Sequence, residues 1–259
     1  MPTILFPSPI FGPVISRRLG VSLGINLIPE GGKLCSFDCI YCECGFNASN
    51  APRTPRPKRE AVAEALEKKL QAMQAEGNLP DVITFAGNGE PTMHPQFPAI
   101  IDDTLRLRNE YCPKARVAVL SNAFHCERPT VREALLKVDD AILKLDTVDE
   151  DYIRHVDRPT RHYHVQDIIA HLAAFDGQAC IQTLFMKGMT PDGFNVDNTG
   201  DAYVLPWIEA LRQIRPRRVM IYTIDRETPT QGLLKATPKE LDRIADLLRQ
   251  QGFEAEVSY

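Results

Sequence analysis

Short apolar runs alternate with amphipathic stretches along most of the chain. Several runs are almost continuous in Val, Ile, Leu and Ala, which is typical of strands covered on both faces of a sheet. The amphipathic stretches repeat apolar residues at the spacing of one helix face; in 58–77, Leu66, Leu70 and Met73 precede the stop signal Gly77. The pattern predicts strands at 22–28, 81–86, 115–121, 140–146, 178–185 and 217–224, and helices near 58–77, 96–110, 129–137, 162–175, 202–214 and 238–251.

Strands that alternate with helices in this way indicate βα units wrapped on a parallel sheet. Six such units close most, but not all, of an eight-stranded barrel, so we expect an α/β fold: a partial (β/α)6 TIM-type barrel with its active site at the C-terminal mouth. The 259 residues are expected to form one domain over 1–259, with a core barrel at about 12–225 and a C-terminal helix and short strand at 238–257. The irregular connections 43–57 and 187–201 are expected to act as lids or binding loops.

Charge and terminal composition narrow the class of protein. The formal net charge of −4 disfavours a protein that coats nucleic acid, although basic patches at 53–59, 154–164 and 215–218 leave a local RNA contact open. The N-terminus lacks a basic leader and is interrupted by prolines, and no apolar run approaches the roughly 20 residues of a transmembrane helix. We therefore expect a cytoplasmic protein without a membrane partner.

Four of the seven cysteines fall within "LCSFDCIYCEC" at 34–44. In the cytosol, clustered cysteines bind metal or do redox chemistry more often than they form disulfides. Cys35, Cys39 and Cys42 have the spacing C-x3-C-x2-C, and three thiolates on one short loop can hold three corners of a 4Fe-4S cluster. The fourth iron then stays open for a substrate or cofactor, so we interpret the three cysteines as metal ligands with a catalytic role.

Other interpretations of this loop remain open from the residues alone. The three cysteines, with Cys44 or a histidine, could hold a structural zinc ion, and the chain would then be a non-enzymatic module. A closed cluster would make it an electron carrier, and a redox pair of Cys39 and Cys42 would leave Cys35 without a role. Cys44 itself is either a spare ligand or an unligated thiol.

Polar residues follow the predicted strands, at the edge where barrels of this kind gather reactive groups. The motif "GNGEPT" at 87–92 follows the second predicted strand, and "SNA" at 121–123 follows the third. Four basic residues near strand ends are candidates for binding a substrate carboxylate or phosphate, although each alone is more typical of a solvated surface charge. These are Lys144, Arg158, Arg161 and Lys187.

The sequence "CSFDCIYC", with the aromatic Tyr41 before the last cysteine, resembles the signature of the radical S-adenosylmethionine (radical SAM) superfamily, and "GNGEPT" resembles its glycine-rich motif. "GPVISRRLGVSLGINLIP" at 12–29 and "RPT" at 158–160 resemble a narrower subgroup, the iron-sulfur oxidoreductases related to the wybutosine-synthesising tRNA enzyme. The resemblance covers about 12–225. That tRNA enzyme carries additional cysteines ahead of the motif, whereas none precedes Cys35 here, so the resemblance supports the cofactor chemistry and leaves the substrate open.

The resemblance implies two cofactors, a 4Fe-4S cluster on the three cysteines and S-adenosylmethionine on the open iron. It further implies cofactor-binding residues in three groups: the amino group of S-adenosylmethionine would meet Gly87, Asn88, Gly89 and Glu90, the adenine would meet Tyr41, and the ribose would meet Ser121, Asn122 and Asp146. The expected reaction is reductive cleavage of S-adenosylmethionine to a 5'-deoxyadenosyl radical, which abstracts hydrogen from an unknown substrate: an RNA base, a nucleoside, a peptide or a metabolite.

Two further expectations follow from the resemblance. The enzyme needs an external one-electron reductant of the flavodoxin or ferredoxin type. A glycyl-radical activase is the alternative enzyme, although the N-terminal pattern of that group differs from the one here.

Overall fold

The computed structural model describes residues 4–16 and 19–259 of the chain. Arg17 and Arg18, with their part of the 12–29 motif, lie outside the described residues. The strands of the described residues are β1 (Ile10–Ser16), β2 (Gly20–Ile25), β3 (Val82–Phe85), β4 (Arg116–Ser121), β5 (Asp140–Lys144), β6 (Cys180–Leu184), β7 (Met186–Gly188), β8 (Arg218–Tyr222), β9 (Leu233–Lys235) and β10 (Ala255–Ser258).

The main sheet has the order β1-β2-β3-β4-β5-β6-β8-β10 and curls into a half-barrel. The strands from β2 to β10 run parallel, whereas β1 pairs antiparallel with β2. The six predicted strands correspond to β2, β3, β4, β5, β6 and β8, which confirms the α/β partial barrel. β7 and β9 form a separate antiparallel pair.

Helices connect the strands at nearly the predicted positions. They are α1 (Arg59–Ala75), α2 (Phe97–Tyr111), α3 (Pro129–Lys137), α4 (Glu150–Tyr152), α5 (Val165–Ala173), α6 (Asp201–Ile214) and α7 (Pro238–Gln250). The largest difference from the predicted bounds is at α5, which begins at Val165, shortly after residues that pair with the cysteine loop. The short α4, which continues as a π-helical turn over Ile153–Asp157, was not predicted. Among the described residues, no helix combines the length and apolar character of a membrane span.

The two faces of the half-barrel differ in character. Outward-facing strand residues pack against helices: Val62, Leu66, Leu70 and Met73 of α1 are buried in the main apolar cluster. Inward-facing residues surround a lumen of about 350 Å³, and they include both polar and apolar side chains: Ser22, Thr84, Leu120, Ile142, Gln182 and Met220. A volume of this size lies within the range of small-molecule sites.

An ion pair also lies at the lumen. Arg226, in the segment that follows β8, is 2.8 Å from Glu43 of the cysteine-rich segment, and both residues line the lumen. The pair therefore joins two walls of the cavity.

The opposite end of the barrel holds a buried charge cluster. The Asp140 side chain, at the start of β5, has no exposed surface and lies within 3.0 Å of three guanidinium groups, those of Arg116, Arg217 and Arg218. These residues stand at or just before the N-terminal ends of β4, β5 and β8, so the cluster fastens the bottom of the sheet.

Candidate active site at the barrel mouth

The cysteine-bearing segment is fastened first to the end of β3. The Leu34 N–H donates to the Asn88 carbonyl at 3.0 Å, and the Glu90 N–H donates to the Leu34 carbonyl at 3.1 Å. Gly89, between Asn88 and Glu90, has φ +146°, and a Cβ there would lie 1.9 Å from the Leu34 carbonyl oxygen. Only glycine fits this approach, so "GNGEPT" and the cysteine loop form one backbone unit.

A second wall of the loop comes from the π-helical turn and the "RPT" motif at 158–160. The Ile40 N–H donates to the Val156 carbonyl at 2.9 Å, and the Thr160 N–H donates to the Ser36 carbonyl at 2.9 Å. The Thr160 hydroxyl adds a bond of 3.0 Å to the same carbonyl. The motif noted in the sequence therefore supports the cysteine loop.

The three thiols of the loop, those of Cys35, Cys39 and Cys42, are unpaired and partly exposed. Beneath them lies Lys33, only 1% exposed, with its Nζ 3.4 Å from Asp38. Burial alone would lower the pKa of Lys33, but the thiols of Cys42, Cys35 and Cys39 raise it above its ordinary value. The charge of Lys33 in turn lowers the pKa values of Cys35 and Cys42, whereas burial raises the pKa values of Cys35 and Cys39.

Hydrogen bonds also reach individual sulfurs. The Phe37 N–H and the Asn122 Nδ2 both lie 3.5 Å from the Cys35 sulfur, although burial raises the pKa of that thiol to about 12. A hydrogen bond with the buried Cys44 thiol lowers the pKa of Cys42 to about 6. Cys44 is thus a hydrogen-bond partner of the Cys42 thiol.

These residues form a donor set that suits an iron-sulfur cluster. In the part of the chain that the structure describes, no three Cys, His, Asp or Glu side chains converge as the ligands of one metal ion do. In a cubane each thiolate binds a different iron. The unpaired thiols, the donors to sulfur and the buried Lys33 suit such a group.

Glu90 is engaged on both carboxylate oxygens, with its side chain 2% exposed. Its carboxylate accepts hydrogen bonds from the Thr92 N–H at 3.0 Å, the Ser121 hydroxyl at 2.8 Å and the Asn122 N–H at 2.7 Å. Burial raises the pKa of Glu90, and these bonds oppose the rise. The carboxylate ties the end of β3 to the end of β4.

Asn88 is also engaged, with the N-terminal segment. Its Nδ2 donates to the Phe6 carbonyl at 2.9 Å, and its Oδ1 accepts the Phe6 N–H at 2.7 Å. The neighbouring Gly87 has φ +124°, and a Cβ there would lie 2.7 Å from the Asn26 side chain. The cofactor role of residues 87–90 stays a prediction.

The predicted ribose contacts follow two neighbouring strands, β4 and β5. Asn122 faces the cysteine loop, where its Nδ2 donates to the Ser36 hydroxyl at 2.9 Å, whereas the Ser121 hydroxyl donates to Glu90. Asp146 lies farther along the sheet and accepts the Leu184 N–H at 2.9 Å.

Asp146 belongs to a buried charge cluster with Tyr41, Lys144 and Asp157. The Lys144 Nζ bonds to Asp146 and to the Tyr41 hydroxyl, and it lies 2.5 Å from Asp157. Burial would lower the pKa of Lys144, but the two carboxylates raise it well above its ordinary value. Burial raises the pKa of Asp157 to about 6, with Lys144 opposing the shift.

Sequence reasoning did not single out Asp157, because no local motif marks it. Tyr41, whose hydroxyl lies 3.4 Å from Asp157, is 116 positions away in the chain. The other basic candidates have separate surroundings: Lys187 pairs with Glu240 at 2.7 Å, and the Arg158 guanidinium lies 5.2 Å from the centre of the Phe46 ring.

Comparison with known proteins agrees with this fold. Residues 30–196 match the radical SAM superfamily. A UPF0026 protein of Helicobacter pylori is 32% identical over 228 residues, which cover 85% of this chain and 67% of that protein. The chain therefore belongs to the radical SAM superfamily and, within it, to the UPF0026 proteins.

Relatives also include longer proteins. A protein of Brachyspira hyodysenteriae named GTPase Obg is 27% identical over 238 residues, which are 90% of this chain but only 32% of that protein. The chain thus spans about a third of that relative and about two thirds of the Helicobacter protein.

Two solved structures share the fold at low sequence identity. A radical SAM methyltransferase from Sphaerobacter thermophilus superposes with a TM-score of 0.67 at 15% identity, over 92% of this chain and 66% of that one. Archaeal TYW1 superposes with a TM-score of 0.54 at 14% identity, over 88% of this chain and 71% of that one.

Proposed function

We propose that the chain is a radical SAM enzyme in which Cys35, Cys39 and Cys42 hold a 4Fe-4S cluster. One observation carries the proposal: the three unpaired thiols stand on a loop that is hydrogen-bonded to the glycine-rich turn after β3. When bound, the cluster supplies one electron that cleaves S-adenosylmethionine to methionine and a 5'-deoxyadenosyl radical for hydrogen abstraction.

The protein's own residues position and shield this chemistry. Glu90 fixes the turn after β3, so that the backbone of residues 87–89 is held for the amino group of S-adenosylmethionine. Tyr41 and Asp146 remain our candidates for binding the adenine and the ribose, respectively. The Lys144 ammonium group orients the side chains of Tyr41 and Asp146. The half-barrel lumen of about 350 Å³ is the space that we assign to the substrate.

The substrate and the partners extend this proposal. An RNA base is the first substrate class to test, because of the resemblance to the wybutosine-related subgroup and the basic patches at 53–59 and 154–164. Nucleosides, peptides and small metabolites follow. The electron comes from a flavodoxin or ferredoxin, and the enzyme acts in the cytoplasm as a single domain over 1–259.

The test is anaerobic reconstitution with iron and sulfide, followed by low-temperature electron paramagnetic resonance with and without S-adenosylmethionine, and by an assay for 5'-deoxyadenosine. We expect a cubane signal that shifts on addition of S-adenosylmethionine, together with 5'-deoxyadenosine. Cys39→Ala should lose both, whereas Cys112→Ala, which removes a buried cysteine at the end of α2, should retain both.

Two results would contradict the proposal. One is a colourless protein that holds stoichiometric zinc, and the other is a cluster signal that ignores S-adenosylmethionine. Either would make the cysteine loop a structural or electron-carrying module.

A further inference from the structure

A second cavity, of about 410 Å³, lies between the cysteine loop and the segments that follow β3 and β4. None of its lining residues lines the barrel lumen. Its lining includes four basic side chains, those of Arg56, His125, Arg128 and Arg161, and no Asp or Glu among the described residues. Arg56 and Arg161 come from two basic patches that are about a hundred positions apart in the sequence, so the fold has concentrated positive charge here.

Much of this charge is unpaired. The Arg56 Nε is buried without a hydrogen-bond partner. Neither Arg56 nor Arg161 forms an ion pair with a carboxylate in residues 4–16 and 19–259. Arg128 is different, because its Nε lies 3.5 Å from the Glu127 carboxylate. A buried guanidinium nitrogen without an acceptor is unfavourable, so the cavity is suited to a molecule that supplies acceptors.

His125 provides a second, independent observation. The residue is 3% exposed and lines the cavity, yet neither ring nitrogen makes a hydrogen bond within the described part of the chain. Its Nδ1 lies 3.5 Å from Glu127. Burial, helped by Arg128, lowers the pKa of His125, so the neutral ring offers one N–H donor.

We propose that this cavity binds the phosphate group of a ligand, held by Arg56 and Arg161 with His125 as a further donor. Two unpaired guanidinium groups balance a phosphate dianion, whereas a monocarboxylate would leave one of them uncompensated. Guanidinium groups also bind phosphate oxygens in a bidentate geometry.

The proposed phosphate site lies beside the cysteine loop. Cys35 and Thr160 line the same cavity, so the bound phosphate lies against the outer wall of the cysteine loop. S-adenosylmethionine contains no phosphate, so the ligand is a second molecule, either a small phosphomonoester or a nucleic acid. The site goes beyond the proposed function, and its test requires no cleavage of S-adenosylmethionine.

The experiment is isothermal titration calorimetry of the full chain, before and after cluster reconstitution. The probes are inorganic phosphate, adenosine 5'-monophosphate and a single-stranded RNA oligonucleotide, with adenosine and acetate as probes that lack a phosphate. The variants are Arg56→Gln and Arg161→Gln. Arg249→Gln is the matched control, because Arg249 lies on α7 and pairs with Asp246 at 3.0 Å. Thermal melting verifies that each variant folds.

We expect adenosine 5'-monophosphate to bind with a dissociation constant of about 1 mM or tighter, and Arg56→Gln and Arg161→Gln each to weaken binding about tenfold or more. Arg249→Gln should bind as the wild type does. If RNA binds about a hundredfold more tightly than adenosine 5'-monophosphate, and the same variants lose that binding, the phosphate belongs to a nucleic acid. If the two affinities are similar, the phosphate belongs to a small phosphomonoester.

Three results would overturn the proposal. The first is that none of the three phosphate probes binds. The second is that Arg56→Gln and Arg161→Gln leave the binding unchanged. The third is that acetate binds as tightly as phosphate.

Discussion

Two single residues, Gly89 and Lys144, hold the barrel mouth in place for different physical reasons. At residue 89 the backbone of Leu34 leaves no space for a side chain, whereas at residue 144 an ammonium group has to balance two buried carboxylates. Steric exclusion and charge balance at these positions hold the cysteine loop and the Tyr41 hydroxyl in place.

Gly89→Ala should lower the free energy of unfolding by at least about 2 kcal/mol, because the new Cβ would overlap the Leu34 carbonyl and the backbone would be strained. Urea denaturation measures the change. Gly193→Ala is the control, since Gly193 also has a positive φ, of +87°, but has open space around it. Equal losses in the two variants would mean that the contact with Leu34 is unimportant.

Asp157 should make stability depend on pH. Its pKa is about 6 in the folded chain against 3.8 as the ordinary value, so the folded chain binds the proton more tightly. Its contribution to the free energy of unfolding is therefore largest at low pH and is lost as the pH rises through about 6, by roughly 2 kcal/mol between about pH 4.5 and about pH 7.5.

Asp157→Asn removes this slope, and urea denaturation of wild type and variant across that pH range measures the difference. Asp246→Asn, at an exposed ion pair, should leave the slope intact. Parallel curves for wild type and Asp157→Asn would show that Asp157 does not titrate in this range.

At the scale of elements, the cysteine loop depends on the segment 156–160, which forms its second wall. The π-helical turn and the "RPT" motif present backbone groups to the loop, and the Thr160 hydroxyl adds a side-chain bond to the Ser36 carbonyl. The loop is thus ordered by two segments distant in the sequence, the end of β3 and residues 156–160.

Thr160→Val keeps the shape of the side chain and removes that hydroxyl bond. We expect a loss of about 1 kcal/mol in the free energy of unfolding and faster amide hydrogen exchange at Asp38 and Ile40. Thr104→Val, which removes a local bond of 2.8 Å to the Ile100 carbonyl within α2, should leave exchange at the loop unchanged. If amide exchange at Asp38 and Ile40 is equally fast in both variants, residues 156–160 do not order the cysteine loop.

The sequence predicts the regular elements well because their signal is local. Strands such as β3 are buried at every position, and the face of α1 carries regularly spaced apolar residues. β1 was not predicted, because it is a largely exposed edge strand that contains Gly12 and Pro13. The cysteine spacing likewise marks the loop, whereas Asp157 and His125 acquire their surroundings only through folding.

At the scale of the molecule, the two ends of the sheet have separate tasks. The C-terminal end carries the cysteine loop and the charge cluster around Lys144, while the N-terminal end carries Asp140 with its three arginines. In barrels of this type the C-terminal face reacts and the opposite face stabilises.

Asp140→Asn should therefore lower the free energy of unfolding by about 3–5 kcal/mol, since it leaves three guanidinium groups without their shared anion. At a temperature where the variant is still folded, the dissociation constant for S-adenosylmethionine should equal that of the reconstituted wild type. Calorimetric melting and binding titrations measure the two quantities, and a large change in affinity would mean that the two ends are coupled.

The ion pair between Glu43 and Arg226 joins two walls of the lumen only weakly. Their side chains are 38% and 50% exposed, and ion pairs at such positions contribute only about 0–1 kcal/mol. Separating them therefore requires little energy, and the open arrangement is populated at a substantial fraction at room temperature. The pair therefore adds little rigidity to the lumen wall, and added salt should change that rigidity only slightly.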